Sequence, residues 1–233
     1  MTEKHEKIDA REITYDNNRW ELFRNLRLAA IRIMEKFDAR RLFSIVHGSV
    51  ARGDVDRNSD IDIFIPNSLS SFQIENVIRL AGLNIESRFI IQATPIYAMK
   101  GYIELDDKIT VSFPLMNLRK TEREFYSFGG KIDLSQLTKG IRVNGVDKRL
   151  MLIQPTENGH KEYTIIDFEQ QTAKILGISI QTVLNRKQTL LKRAKVGRTG
   201  VFVKKELSLD ETFELVLKRL AENNPAVRRR LRS

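Results

Sequence analysis

The sequence predicts an α+β fold, a mixed β-sheet backed by helices and followed by a small basic helical domain. Three observations predict it. Short apolar runs rich in β-formers (42–47, 61–65, 88–93, 96–105 and 108–115) interleave with stretches whose apolar residues recur at helical spacing (18–38, 70–81 and 119–128). Turn signals then gather between 129 and 160: Asn144-Gly145, Pro155 and Asn158-Gly159. Beyond them lies the basic surplus, since residues 151–233 hold 16 Lys+Arg against 9 Asp+Glu, out of 40 against 30 in the whole chain. The expected division is a first domain over 1–128, a linker or hairpin region over 129–158, and a second domain over 159–233.

Composition narrows the class. With 233 residues, 41% hydrophobic and 30% charged, the chain can bury a proper core. It contains no cysteine, which excludes a disulfide framework, a thiolate zinc site and a cysteine nucleophile. The amino terminus is charged throughout and no apolar run approaches the roughly 18 residues of a membrane span, so a cytoplasmic protein without a membrane partner is expected. A net charge of +10 points to acidic partners.

Each element has its own signal. In 18–38, Trp20, Phe23, Leu26, Ala30, Ile33, Met34 and Phe37 form one helical face, with Trp20 as a core anchor. Residues 42–47 and 61–65 read as strands joined by a loop with two glycines. Ser70 or Ser71 caps the helix that ends near Ala81. The strands over 96–105 and 108–115 are joined by a tight turn at Asp106-Asp107, and Gly129-Gly130 ends the helix over 119–128.

The densest chemistry is His47-Gly48-Ser49-Val50-Ala51-Arg52-Gly53 followed by Ser59-Asp60-Ile61-Asp62-Ile63-Phe64-Ile65. Residues two apart on a strand share a face, so Asp60 and Asp62 project together while Ile61, Ile63 and Ile65 enter the core. Two adjacent carboxylates repel unless a cation compensates, and such oxygen pairs suit Mg²⁺ that is also held by substrate phosphates. Gly48 and Ser49, at the end of one strand and the start of a helix, offer backbone N–H groups and a hydroxyl to a phosphate. Gly53 lets the chain turn back.

These residues resemble the GS...G...(S)DxD signature of the DNA polymerase beta-like nucleotidyltransferase superfamily, directly over about 20 residues. The resemblance implies the nucleotidyltransferase fold, a nucleoside triphosphate held near Gly48, Ser49 and Gly53, and Mg²⁺ bound by Asp60 and Asp62 as catalytic residues. It also implies a third acid on a later strand. On 108–115, Ile109, Val111 and Phe113 take the buried face and leave Thr110 and Ser112 where that acid is expected. Asp107 at the turn is the candidate replacement, and Glu104 on the partner strand is the alternative.

Residues 169–191 place Ala173, Gly177 and Val183 at the three spacings of a helix-turn-helix, with Ser179 as N-cap of its second helix. They resemble the helix-turn-helix of transcription regulators and sigma factors, although Arg186 stands where an apolar residue is commoner. Residues 196–203 then read as a β-hairpin, the wing of a winged helix. On that reading Gln181 and Asn185 reach base edges while Lys187, Lys192, Arg193 and Arg198 meet phosphates, with DNA favoured over RNA. A last amphipathic helix over 207–221, capped by Ser208, is a packing element or a homodimer contact. His5, His47 and His160 are too scattered for a metal site.

Two functions follow as expectations. One is a Mg²⁺-dependent nucleotidyltransferase that moves a nucleoside monophosphate from a triphosphate to a hydroxyl, targeted by a nucleic-acid-binding winged helix. The other is a DNA-binding regulator whose degenerate transferase domain senses nucleotide.

Overall fold

The computed structural model describes residues 10–67, 70–105, 108–197 and 200–232. Strand β1 (Arg11–Thr14) precedes the long helix α1 (Asn17–Asp38), whose N-cap Asp16 accepts from the Arg19 N–H at 2.8 Å. Strand β2 (Ile45–His47) leads into the single turn α2 (Ser49–Arg52), and β3 (Ile61–Phe64) into α3 (Ser71–Leu80). A meander follows, β4 (Ile85–Gln92), β5 (Lys100–Leu105) and β6 (Ile109–Pro114), then α4 (Lys120–Phe128). The region expected as a linker or hairpin holds β7 (Lys131–Asp133), α5 (Leu134–Thr138), β8 (Gly145–Val146) and β9 (Met151–Thr156), which turns back into β10 (Gly159–Thr164) as an antiparallel hairpin. The chain closes with α6 (Glu169–Leu176), α7 (Ile180–Val196), β11 (Val203–Glu206), α8 (Phe213–Asn223) and α9 (Pro225–Leu231).

Seven strands make one mixed sheet in the order β11-β4-β5-β6-β3-β2-β7, with β3 and β6 parallel and the other pairs antiparallel. Alternation decides its two faces. Ile61, Ile63, Ile103, Ile109, Val111 and Phe113 are buried with Ile33, Met34, Phe37, Ile74, Ile78, Phe213 and Val216 of α1, α3 and α8 in one core. The opposite face carries Asp62, Phe64, Lys100, Tyr102, Thr110 and Ser112. It is partly roofed by α4, whose Tyr126 ring stacks on Phe64 at 3.9 Å.

A second antiparallel sheet, β1-β10-β9-β8, supports the two helices α6 and α7 around Val146, Leu152, Tyr163, Ile165, Ala173, Val183 and Leu190. Helices α6 and α7 are joined by a short turn in which Gly177 sits in the left-handed region (φ 63, ψ 36) and Ser179 precedes α7. Among the described residues the expected wing does not form. Val196 still belongs to α7, and Val203 to Glu206 pair with Gln92 to Phe89 at the edge of the large sheet. Edge pairing with β4 satisfies a full row of backbone groups that a short isolated hairpin would leave to water.

The last segment also differs from expectation. Thr212, whose hydroxyl accepts from the Leu215 N–H at 3.2 Å, caps α8, whereas Ser208 lies in the preceding loop and its N–H is taken by Glu211. The α8 face is spent inside the molecule, with Phe213 edge-on to Phe113 at 5.0 Å. Thus the residues expected as one unit over 159–233 divide between two cores, β10, α6 and α7 in the smaller and β11, α8 and α9 with the large sheet.

Candidate active site

The turn between β2 and α2 is built around Gly48, whose φ of 81 and ψ of −146 belong to a region that side chains rarely adopt. Its N–H is spent on the Gly130 carbonyl at 2.9 Å, which ties the turn to the glycine pair that ends α4. Ser49 donates its hydroxyl to Ser59 Oγ (3.1 Å), which in turn accepts from the Asp56 N–H (2.9 Å). Those bonds shape the loop that delivers Asp60 and Asp62. No described group accepts from the N–H groups of Ser49 or Val50, so they remain donors at the turn.

Beneath the turn lie two arginines that sequence reasoning did not single out. Arg27 of α1 donates from Nε to the Val50 carbonyl (3.2 Å) and also bonds the carbonyls of Ala51 and Ile141. Arg52 makes a two-pronged pair with Asp54 (2.9 Å for each contact) and a bond to the Gly129 carbonyl (2.6 Å). Gly53, expected near the nucleotide, closes α2 with φ 104 under Arg142, where an added Cβ would come within 2.6 Å of Arg142 Cδ. Its visible part is to turn the chain.

Asp60 is exposed just before β3, and Asp62 is half-buried within it. Neither carboxylate has a hydrogen bond or ion pair from a described residue. That distinguishes them from Glu75, Glu122, Glu124 and Glu162, each of which is held by a cation. Two free carboxylates beside a donor-rich turn fit a hard divalent cation, which commonly takes one or two protein carboxylates and completes its shell with water and phosphate. Among the described residues no group of three His, Cys, Asp or Glu is placed to hold a metal.

Register places the Glu104 candidate for the third acid. Asp62 pairs across the parallel β3–β6 ladder with Thr110, and Thr110 pairs with Glu104 on β5. Glu104 therefore stands two strands from Asp62, roughly 10 Å at ordinary strand spacing. It accepts from Ser87 Oγ at 2.5 Å instead. Thr110, not a carboxylate, occupies the position next to Asp62. Asp107 lies outside the described residues, as does Arg198.

A cavity of about 350 Å³ opens beside Asp62. His47, Lys100, Tyr102 and Ser112 supply its sheet side, Glu122, Phe125 and Tyr126 come from α4, and Thr182, Asn185, Arg186 and Arg193 come from α7. His47 is the cross-strand neighbour of Asp62, and its ring lies edge-on to Tyr126 at 4.9 Å. Burial lowers its pKa against the pull of Asp62, so the imidazole is neutral near pH 7. Burial likewise raises the Tyr102 hydroxyl to about 12.

Helix α7 thus meets the open sheet face rather than standing free. Of the residues expected to touch nucleic acid, Asn185 and Arg193 line the cavity, and Gln181 bonds Asn185 at 2.9 Å. Lys187 is paired with Glu169, and Lys192 is exposed. The odd residue of the motif, Arg186, has a physical reason: its guanidinium lies 4.7 Å from the Phe125 ring centroid and forms part of the cavity wall.

The profile of the nucleotidyltransferase domain matches residues 30–111. The chain carries a nucleotidyltransferase domain. The match begins within α1 and runs through the Gly48-Ser49 turn and the Asp60 to Asp62 strand into β6. The nucleotidyltransferase domain implies a nucleotide substrate and transferase activity, and domains of this kind typically use a divalent metal. Helices α4 and α7, which complete the cavity, lie outside the matched residues. No curated protein and no solved structure matches the chain. Among the described residues no helix is long and apolar enough to cross a membrane.

Proposed function

We propose that the protein is a Mg²⁺-dependent enzyme that transfers a nucleoside monophosphate from a nucleoside triphosphate to a hydroxyl. The observation that carries this reading is the pair Asp60 and Asp62, unpaired in a strongly basic chain and set beside a turn with free N–H donors. Asp60 and Asp62 would hold the ion, which when bound neutralises triphosphate charge and polarises the α-phosphate. Ser49 and the N–H groups after Gly48 face the phosphates of the same nucleotide. The acceptor oxygen bonds to the α-phosphorus while the bond to the bridging oxygen breaks. Pyrophosphate leaves, and the hydroxyl proton passes to solvent.

The nucleic-acid half of the sequence expectation has less behind it. Among the described residues no wing forms, and two of the expected contact residues face the cavity. The sensor reading differs in one outcome only, binding without transfer.

Incubation with α-labelled triphosphates, Mg²⁺ and a panel of hydroxyl acceptors tests the proposal. Wild type is expected to label an acceptor, and Asp60→Asn or Asp62→Asn to lose several kcal/mol of transition-state stabilisation, about a thousandfold in rate. Metal-dependent triphosphate binding with no transfer to any acceptor would establish the sensor. Binding that is the same in both variants as in wild type would remove these carboxylates from the site.

A further inference from the structure

Two cations in the cavity wall have no carboxylate partner among the described residues. Lys100 of β5 donates to Tyr126 Oη at 2.8 Å, and its Nζ lies 4.9 Å from the Tyr126 ring centroid and 5.5 Å from that of Phe64. Arg186 of α7 stacks on Phe125, and its Nε is buried without a hydrogen-bond partner. Both cationic groups lie within 5.4 Å of the Phe125 ring centroid. Apart from Asp62, the carboxylate on this wall is Glu122. Its oxygens are already taken by Arg230 (2.9 Å), the Arg119 N–H (2.8 Å) and the Ala98 N–H.

Burying charge without a counterion is costly, and aromatic faces offset only about 0.5–2 kcal/mol of it per contact. Burial accordingly lowers the Lys100 pKa to about 8 and the Arg186 pKa to about 10. A wall that keeps two such cations is complementary to an oxyanion from outside the protein. Position assigns that anion. Gly48, Ser49 and Asp60 do not line the cavity, which extends from Asp62 towards Ser112, Tyr102 and Lys100. The cavity therefore begins at His47 and Asp62 and leads away from the Gly48-Ser49 turn along the sheet face. A volume of about 350 Å³ walled by Phe125, Tyr97, Tyr102 and Tyr126 has the size of a small-molecule site, not of a nucleic-acid groove.

Resting on the transfer reading above, we propose that Lys100 and Arg186 form the acceptor's anion subsite. The hydroxyl compound that receives the nucleotide is a small molecule bearing a phosphate or carboxylate, and α7 is the wall that selects it.

Calorimetry on the full chain tests this with inorganic phosphate and acetate as probes, alone and in the presence of a saturating non-hydrolysable triphosphate with Mg²⁺. Phosphate or acetate is expected to bind wild type and to remain bound beside the triphosphate. Arg186→Gln and Lys100→Gln each weaken the anion by about tenfold or more, the worth of one charge-assisted contact. Asp62→Asn does not weaken it, and Arg186→Lys restores part of the affinity. Melting curves confirm that each variant is folded. Three results overturn the proposal: no anion binding by wild type, displacement of the anion by the triphosphate analogue, or displacement by a single-stranded oligonucleotide whose binding needs Arg186. Failure of the transfer reading is separate, because it shows as metal-dependent triphosphate binding with no transfer to any acceptor, whether or not the anion binds.

Discussion

Lys100 carries its ammonium into a wall of aromatic rings, and the consequence is measurable without any substrate. Burial lowers its pKa to about 8 from the ordinary 10.5, against the attraction of Glu122 and helped by Arg186. Between those values an unfolded chain still holds the proton that the folded protein has released, so this residue's contribution to stability rises as pH climbs through the window. Lys100→Met is therefore expected to melt above wild type at pH 7, with the margin narrowing towards pH 10. A margin that stayed constant across that range would mean the ammonium is solvated. Gly101, the next residue, points into the opposite face, where a Cβ would lie 2.5 Å from Phe113 and 2.9 Å from Phe213. Gly101→Ala should cost about 1–3 kcal/mol by overpacking, read from denaturant unfolding.

At the scale of elements, what matters is how α7 is held over the sheet. Glu124 of α4 accepts from the Ser179 N–H (3.2 Å), Ser179 Oγ (2.5 Å) and Thr182 Oγ1 (2.6 Å), so its carboxylate serves as the N-terminal cap that the side chain of Ser179 does not supply. Burial raises the Glu124 pKa, but these hydrogen bonds outweigh it and the net shift is downward. The stabilisation is thus present at neutral pH and fades as pH falls through the lowered value. Glu124→Ala should destabilise by about 1–3 kcal/mol, since it strands several donors at the start of a helix. It should also loosen the cavity wall, seen as faster amide exchange in α7 with β5 and β6 unchanged. Equal exchange in α7 of variant and wild type would show that the apolar contacts of Val183 and Leu190 alone fix the helix.

For the molecule as a whole, the carboxy-terminal segment is a strap returned to the first core. Strand β11 extends the large sheet, Phe213, Val216 and Val227 are buried in its core, and Arg230 pairs with Glu122 with both side chains almost wholly enclosed. A chain ending after Glu206 would uncover Phe113 and leave Glu122 buried and unpaired, a loss of about 3–5 kcal/mol for the pair alone. It is expected to be insoluble or partly unfolded. A fragment from Gly159 to Ser233 should likewise fail to fold, because β10 loses both β1 and β9 while α8 and α9 lose their core. Circular dichroism of the fragment decides this, and a stable helical fragment would restore the idea of an independent second domain.

Local pattern was enough for much of this protein. The helical face from Phe23 to Phe37, the alternation of Ile109, Val111 and Phe113, and the Gly48-Ser49 and Asp60-Asp62 spacings all follow from periods and residue types within a few positions. The left-handed turn between α6 and α7 was equally legible, since Gly177 needs only its own backbone freedom. The use to which α7 is put was not. That Arg186 and Lys100, far apart in the chain, share one aromatic ring depends on α4 lying between α7 and the sheet. The pairing of Val203 to Glu206 with β4, and of β1 with β10, joins residues separated by more than a hundred positions. No local period encodes such contacts, because they are chosen by which edges and faces remain unsatisfied once the nearer elements have packed.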